Sequence, residues 1–160
     1  MELLTDRDIS NIAKALKIPL RHIGFKDTFQ RIKPVNGAYV INLQSKQGNT
    51  GGSHWTGLII KNGHVAYFDP FGLPVPILIR QFVARCKPKR FIYSQNDIQS
   101  LPSVLCGYFV LYFLYFCLVK HKNCDRLGLL INKHNSIYQQ EDRIDNDRIV
   151  QQLFRQLFQH

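Results

Sequence analysis

The sequence predicts an α+β fold, because helix and strand signals alternate along one compact stretch of chain. Between helix signals near its two ends lies SHWTGLIIKNGHVAYFDPFG, in which two runs of strand-forming residues are joined by Asn62 and Gly63. Such a pair is the strongest short-range indication of a two-residue hairpin turn. With 160 residues, 45% of them hydrophobic, the chain suits one domain with a sizeable core. We therefore expect a single domain over residues 1–160.

The flanking elements follow from capping residues and periodicity. Apolar residues recur at helical spacing after two potential caps, Thr5 and Asp6, and predict a first helix that Pro19 closes. The other predicted elements are a strand at 38–43, a helix at about 76–85, a strand at 90–94 and an amphipathic helix in the final RIVQQLFRQLFQH.

Residues 104–119, VLCGYFVLYFLYFCLV, carry no charge. A membrane span is the first alternative for such a run, but about 20 apolar residues are needed to cross a bilayer. A buried core helix is the better interpretation, and we expect no transmembrane segment. Peripheral membrane association stays open.

The charge balance is strongly basic, with 21 lysine and arginine residues against 11 acidic ones and a formal net charge of +10. Such an excess favours a polyanionic partner, nucleic acid first. A basic cluster between Asp69 and Asp97 is the candidate phosphate contact, with a solubilising surface rim as the equal alternative. Its members are Arg80, Arg85, Lys87, Lys89 and Arg90.

Four cysteines are present without a C-x-x-C pair. A structural zinc site and a secreted disulfide scaffold are therefore not expected, and the thiols should be free in a reducing compartment. Cys106 follows a proline-bearing loop and opens the apolar run. The start of a helix favours an anionic sulfur, so Cys106 is a candidate nucleophile, with inert core packing as the alternative.

The hairpin predicts two partner residues for that thiol, a histidine and a carboxylate. With Asn62 and Gly63 as the turn, Gly57 faces Phe68, and His54 and Asp69 become diagonal neighbours on one side of the ribbon, close enough for imidazole and carboxylate to meet. A thiol, a histidine that deprotonates it and a carboxylate that orients the histidine are the three roles of a cysteine hydrolase.

In combination, GNTGGSHWTGLII, YFDPFG and a glutamine seven residues before LCGYF resemble the adenovirus-type maturation proteases (adenain) and their relatives in virophages and other double-stranded DNA viruses. The ubiquitin-like-protein proteases are more distantly similar. The resemblance covers residues 5–120 and implies a small central mixed sheet with a buried helix that carries the nucleophile at its N-terminus.

The resemblance also implies the roles of individual residues. Cys106 would be the nucleophile, His54 its base, Asp69 the orienting carboxylate and Gln99 the side-chain donor to the oxyanion. Adenovirus enzymes usually have glutamate at the position of Asp69, whereas the ubiquitin-like branch has aspartate. Gln95 is the rival oxyanion donor, and Gln99 matches the family spacing.

Substrate contacts are expected from Gly51, Gly52 and Trp55, although paired glycines also simply loosen loops. The resemblance also implies that Trp55 packs beside the His54 imidazole, with ordinary aromatic packing next to a hairpin as the alternative. The family preference implies cleavage at small or glycine-containing sites. The implied substrates are viral capsid or core precursors, with no chemical cofactor and no metal. The resemblance implies activation by DNA and by a short viral peptide, and Cys86 is a weak match for a disulfide link to that peptide.

We expect a monomer that works in the virion and in the reducing cytoplasm or nucleus of an infected host cell. Two other functions stay open at this point. One is hydrolysis of ubiquitin-like modifiers, and the other is a non-catalytic DNA-binding virion protein in which the cysteine is structural.

Overall fold

The protein is built around a five-stranded β-sheet, seen in a computed structural model that describes residues 2–44, 54–94, 96–99, 104–138 and 142–159. The strands lie side by side in chain order. They are β1 (Leu20–Phe25), β2 (Gly37–Asn42), β3 (Trp55–Lys61), β4 (His64–Phe68) and β5 (Arg90–Tyr93). The two outer pairs are parallel and the two inner pairs antiparallel. The predicted α+β class with a mixed sheet is thus confirmed.

Helices cover both faces of this sheet. They are α1 (Asp6–Ala15), α2 (Ile77–Arg85), α3 (Cys106–Tyr115), α4 (Leu127–Asn135) and α5 (Arg143–Leu157), with a 3₁₀ turn at Lys26–Arg31 and a π-helical turn at Phe116–Lys120. One apolar core lies between the sheet and helices α1, α3, α4 and α5. A second core lies on the opposite face, under α2 and the 3₁₀ turn.

The predicted hairpin register is confirmed. Strands β3 and β4 pair from Gly57 with Phe68 to Lys61 with His64. Asn62 (φ 51°) and Gly63 (φ 83°) both adopt the left-handed conformation, which a type I′ turn requires and which asparagine and glycine tolerate best. The turn therefore fixes which residues share each face of the ribbon.

The first helix begins as its sequence predicts. The Thr5 hydroxyl accepts a hydrogen bond from the Asp8 N–H (3.2 Å), and the Asp8 carboxylate accepts one from the Thr5 N–H (2.9 Å). This reciprocal capping box satisfies backbone donors that the helix itself leaves unpaired. The predicted helix near 76–85, the strands near 38–43 and 90–94 and the C-terminal helix are also present, with ends shifted by one or a few residues.

The apolar run forms the central helix α3, most of whose residues are buried. Gly57 on β3 allows the close approach, because a Cβ atom there would stand 2.9 Å from Val110 Cγ1. Gly107 has the same effect on the other side, since a Cβ atom would stand 3.1 Å from Leu4 Cδ1. The helix is thus clamped between the sheet and the N-terminal segment. Within the described ranges, no helix is long and apolar enough to cross a membrane.

Candidate active site

Two of the predicted site residues meet at the open end of the β3–β4 hairpin. His54 directly precedes β3, and Asp69 directly follows β4. His54 Nε2 lies 2.7 Å from Asp69 Oδ1, a short contact typical of a charge-assisted hydrogen bond. The Asp69 side chain is fully buried, whereas His54 retains some exposure. The predicted diagonal contact is therefore present.

A tight turn fixes the Asp69 carboxylate. Asp69 Oδ1 also accepts a hydrogen bond from the Phe71 N–H (2.8 Å), and the Asp69 carbonyl accepts one from the Gly72 N–H (2.8 Å). The first contact is an Asx turn, and Pro70 presets the backbone angle between its ends. The sequence Asp-Pro-Phe-Gly therefore orients the carboxylate through its own backbone.

Phe71 from this turn lies against the imidazole. The ring centroids of His54 and Phe71 are 4.5 Å apart, and the ring planes are inclined by 21°. The His54 ring is thus held at its edge by Asp69 and on one face by Phe71. Sequence reasoning missed Phe71 and expected Trp55 beside the imidazole.

Trp55 instead lies on the α3 side of the sheet, as the alternation of side chains along β3 requires. It is 3% exposed, and its indole N–H donates to the Leu4 carbonyl at 3.2 Å. Trp55 nevertheless forms part of the wall of a cavity of about 260 Å³ between the N-terminal segment and the ends of strands β1 and β2. The other residues that line this cavity are Leu3, Leu4, Thr5, Asp6, Gly24, Phe25 and Asn42.

Cys106 is the first residue of α3 and is 3% exposed. The N–H groups of the first helical turn have no partner within a helix, and the helix dipole adds positive potential there. Cys117 lies in the π-helical turn at the other end of this apolar segment and is fully buried. Burial raises the pKa of the Cys117 thiol far above its usual range, so Cys117 is suited to packing rather than to nucleophilic attack.

The electrostatics of His54 connect the histidine to both predicted partners. Burial alone would lower the pKa of His54, but hydrogen bonds and charge interactions with Asp69 and Cys106 outweigh it and raise the pKa to about 9. A histidine with such a pKa is stable as the imidazolium at neutral pH. An imidazolium between a carboxylate and a thiolate is the ion-pair arrangement that activates cysteine nucleophiles.

Gln99 is held close to the orienting turn. Its N–H and that of Ile98 both donate to the Pro70 carbonyl, at 3.1 and 2.8 Å. The Gln99 side chain is almost completely buried. The backbone of the predicted oxyanion donor is therefore joined to the turn that carries Asp69. Gln95, Gly51 and Gly52 lie outside the described residues.

Part of the basic cluster lies at the opposite end of the sheet. Arg90 pairs with His64 beside the hairpin turn, so Arg90 is separated from His54 and Asp69 by the length of strand β4. All five side chains are exposed. Arg80 donates to the Val75 carbonyl, and Arg85 donates to the carbonyls of Phe29 and Gln30. Arg80 therefore joins α2 to the segment that precedes it, and Arg85 joins α2 to the 3₁₀ turn.

His134 is a buried histidine away from this site. It is 0% exposed, and its Nδ1 lies 3.0 Å from Asn135 Oδ1. Rings from β4, α3, the π-helical turn and the segment after α4 surround it, namely those of Phe68, Tyr112, Phe113, Phe116 and Tyr138. Burial lowers the pKa of His134 to about 4, so this histidine is a neutral core residue.

Among the described residues, no group of three or more His, Cys, Asp or Glu side chains is arranged to hold a metal ion.

No protein-family model matches the chain, and no curated protein matches it. Among solved structures, it is similar to two crystal structures of the ASFV pS273R protease, one of them of the selenomethionine protein, with TM-scores of 0.57 and 0.56 and sequence identities of 12% and 15%. Both alignments cover 92% of this chain and 66% of that protease. A weaker likeness, with TM-score 0.44 and 13% identity over 81% of this chain and 46% of the other, is to HopZ1a in complex with IP6.

The chain therefore has an α+β fold consistent with that of the ubiquitin-like proteases, and it shares this fold with the ASFV pS273R protease. It spans 66% of the length of that protease. The likeness lies in the fold and does not single out the adenovirus-type enzymes that the sequence motifs resemble.

Proposed function

We propose that the protein is a cysteine endopeptidase with Cys106 as nucleophile, His54 as general base and acid, and Asp69 as the orienting carboxylate. The observation that carries the proposal is the contact of the His54 imidazole with its predicted carboxylate. Asp69 binds His54 Nε2 at 2.7 Å, and the interactions that raise the pKa of His54 come from Asp69 and, to a smaller extent, from Cys106. The fold shared with a protease supports the proposal independently.

The proposed reaction follows from these positions. The Cys106 thiolate attacks the carbonyl carbon of a peptide bond, and a C–S bond forms while the carbonyl π electrons move to oxygen. The tetrahedral intermediate then collapses, the C–N bond breaks, and the His54 imidazolium gives its proton to the leaving amine. Water, deprotonated by His54, hydrolyses the thioester and restores the thiolate–imidazolium pair.

The developing oxyanion needs donors in a site from which water is excluded. The Gln99 side-chain amide and the backbone N–H of Cys106 are the proposed pair. Cys106 begins α3, so its N–H belongs to the set at a helix N-terminus that favours negative charge. Gln99 is buried and tied to the orienting turn, which supports a fixed rather than a mobile donor.

The finer assignment rests on the sequence motifs. We propose an adenovirus-type maturation protease that cleaves viral capsid or core precursors at small or glycine-containing sites, in the virion and the infected cell. The cavity beside Trp55 supports a role for Trp55 in substrate binding. Gly51 and Gly52 keep their proposed role on the resemblance alone.

Activation by non-specific DNA is proposed through the basic cluster, whose five side chains are exposed. Activation by a viral peptide through Cys86 is the weaker proposal. The Cys86 thiol is half-buried and donates to the Val83 carbonyl, and burial raises its pKa. A peptide-stimulated activity that is unchanged in Cys86→Ser would remove Cys86 from this role.

The deciding experiment compares hydrolysis of three substrates by the wild type, Cys106→Ala and Cys124→Ser. The substrates are precursor-like peptides with glycine beside the scissile bond, the same peptides without glycine, and fusions to ubiquitin-like modifiers. We expect cleavage of the glycine peptides, loss of it in Cys106→Ala and retention in Cys124→Ser, which removes a half-buried thiol. Preferential cleavage of the modifier fusions would identify a modifier hydrolase instead.

Thiol labelling separates an enzyme from a non-catalytic protein without a known substrate. Iodoacetamide near neutral pH should alkylate Cys106 far faster than Cys117. Equal, slow labelling of all four thiols, together with no hydrolysis of any substrate, would contradict the proposal and favour a DNA-binding virion protein.

A further inference from the structure

The short segment that carries Gln99, residues 96–99, is anchored from several directions. We refer to it as the Gln99 loop. On one side, the Pro70 carbonyl accepts the N–H groups of Ile98 and Gln99. On the other side, the C-terminal helix α5 contacts the loop at two points, through Asn146 and Arg143. The loop therefore lies between the orienting turn and a helix about fifty positions further along the chain.

The Asn146 contact is fully buried. Asn146 is 0% exposed, and its side-chain Nδ2 donates to the Ile98 carbonyl at 3.1 Å. Ile98 is 1% exposed, so this carbonyl has no ready access to water as a substitute donor. A buried carbonyl that is left without a donor is destabilising, because it has lost its water and gained no partner. Asn146 thus fixes the peptide unit that joins Ile98 to Gln99.

The Arg143 contact is of a different kind. Arg143 Nη2 lies 3.0 Å from Asp97 Oδ2, but the two side chains are 48% and 35% exposed. Exposed ion pairs of this type contribute little to stability and are screened by salt. Arg143 therefore offers a matched control, because it lies on the same helix and contacts the same loop from the solvent side.

We infer that Asn146 is a positioning residue for the oxyanion donor: it sets the Ile98–Gln99 peptide, and through it the direction of the Gln99 side chain. The inference rests on the proposed function of Gln99. The Pro70 carbonyl holds the N–H groups of Ile98 and Gln99, and the Asn146 side chain holds the Ile98 carbonyl. With both sides held, the Gln99 Cα is fixed relative to Asp69 and hence to His54.

The first test measures this positioning without catalysis. Amide hydrogen exchange of Ile98 and Gln99 is compared in the wild type, Asn146→Leu and Arg143→Gln, since amides bonded to Pro70 exchange only when the loop opens. Exchange should be about tenfold faster or more in Asn146→Leu and unchanged in Arg143→Gln. Unchanged exchange in Asn146→Leu would overturn the inference. If Asn146→Leu does not fold, Asn146→Ser, whose hydroxyl is too short to reach the carbonyl, takes its place.

The second test asks whether the effect passes through Gln99. Asn146→Leu is combined with Gln99→Ala in a double-mutant cycle on peptide hydrolysis. Alone, Asn146→Leu should lower kcat by about tenfold to a hundredfold, as displacement of a catalytic group does, with KM little changed. In the Gln99→Ala background, the same substitution should cost almost nothing more.

The outcomes separate the two proposals. If the losses in kcat from the two substitutions multiply in the double variant, Asn146 serves general stability and the positioning role is overturned. Absence of hydrolysis in the wild type, with the exchange difference intact, would overturn the protease proposal while leaving the structural part of the inference supported. Slower Cys106 alkylation in Asn146→Leu would also count against the inference, because the thiolate–imidazolium pair should be unaffected.

Discussion

The Phe71 ring lies almost parallel to the imidazole of His54, with the ring centroids 4.5 Å apart and an angle of 21° between the planes. Asp69 binds the edge of the same imidazole at 2.7 Å. The hydrogen bond to Asp69 alone would still allow the imidazole to rotate about the hydrogen-bond axis. The Phe71 ring against the face of the imidazole opposes that rotation. Orientation of His54 is therefore the joint result of a carboxylate and an aromatic side chain from one turn.

Phe71→Ala should lower kcat by about tenfold, because a ring free to swing spends less time aligned with the sulfur. The backbone N–H of residue 71, which binds Asp69, is retained in this variant. Leu73→Ala is the matched control, since Leu73 belongs to the same connection and is half exposed. Steady-state kinetics measure both, and equal activity of Phe71→Ala and the wild type would show that Asp69 alone orients the ring.

Asp69→Asn should weaken catalysis more than stability. Asparagine keeps an oxygen that accepts the Phe71 N–H, so the turn can persist, but it lacks the charge that stabilises the imidazolium. The expected fall in kcat/KM is about a thousandfold or more. Asp125→Asn, which removes a mostly exposed partner of Lys61, should have almost no effect. Unchanged kinetics in Asp69→Asn would remove Asp69 from the site.

The pH dependence follows from the raised pKa of His54. The leaving amine needs the imidazolium, so kcat/KM should fall as the pH rises through about 9. In Asp69→Asn this alkaline limb should move to lower pH, since loss of a nearby negative charge lowers a histidine pKa. An alkaline limb at the same pH in both proteins would contradict the assignment of the titrating group to His54.

The same shift has a consequence for stability. The folded-state pKa of His54 lies above the ordinary value of 6.5. The contribution of His54 to the free energy of unfolding is therefore fully present below pH 6.5 and is lost as the pH rises through about 9. The difference in unfolding free energy between the wild type and Asp69→Asn should therefore shrink over that range. Urea unfolding at pH 6 and pH 9.5 measures it.

His134 should limit stability in acid. Its folded-state pKa of about 4 lies below the ordinary value of 6.5, so the unfolded chain binds the proton first and stability falls between those two values. The loss attributable to this residue is on the order of 3 kcal/mol. In His134→Phe, which suits the aromatic surroundings, the decline between pH 6.5 and pH 4 should be shallower than in the wild type. His64→Gln is the control and should follow the wild type.

DNA binding, if it uses the basic cluster, should depend steeply on salt and little on sequence. Changing Lys87, Lys89 and Arg90 together to glutamine should reduce the slope of log K against log salt by about 3, since each phosphate contact contributes about 0.9. Changing Lys133, Arg148 and Arg155 removes the same charge from exposed positions on α4 and α5. Equal losses in both triple variants would show that net charge, not the cluster, binds DNA.

The amino-acid sequence alone was sufficient to predict the hairpin and the contact that it creates between His54 and Asp69. Asn62 and Gly63 fix the register, the register places His54 beside Asp69, and the capping pattern at Thr5 fixes the first helix. These features are local, because each depends on residues close together in the chain. The length and apolar character of the 104–119 run likewise predicted a buried helix.

Other features depend on distant packing and left no local signal. Strand β1 is an edge strand with an exposed arginine and a glycine, so it lacks the alternation that identifies β2 and β3. Helix α4 was not predicted, and its apolar residues are recognisable only once α3 lies beside them. Asn146 reads as an ordinary polar residue of an amphipathic helix until the Ile98 carbonyl is seen against it.

The missing methyl group at Gly57 decides how deeply helix α3 sits on the sheet, because Val110 occupies the space that a side chain would take. His54 stands three positions before that glycine, and Cys106 stands one helical turn before that valine. The contact therefore sets the separation between the helix that begins at Cys106 and the strand that follows His54. Graded side chains at residue 110, from alanine to isoleucine, should change the distance between Cys106 and His54 without altering either residue.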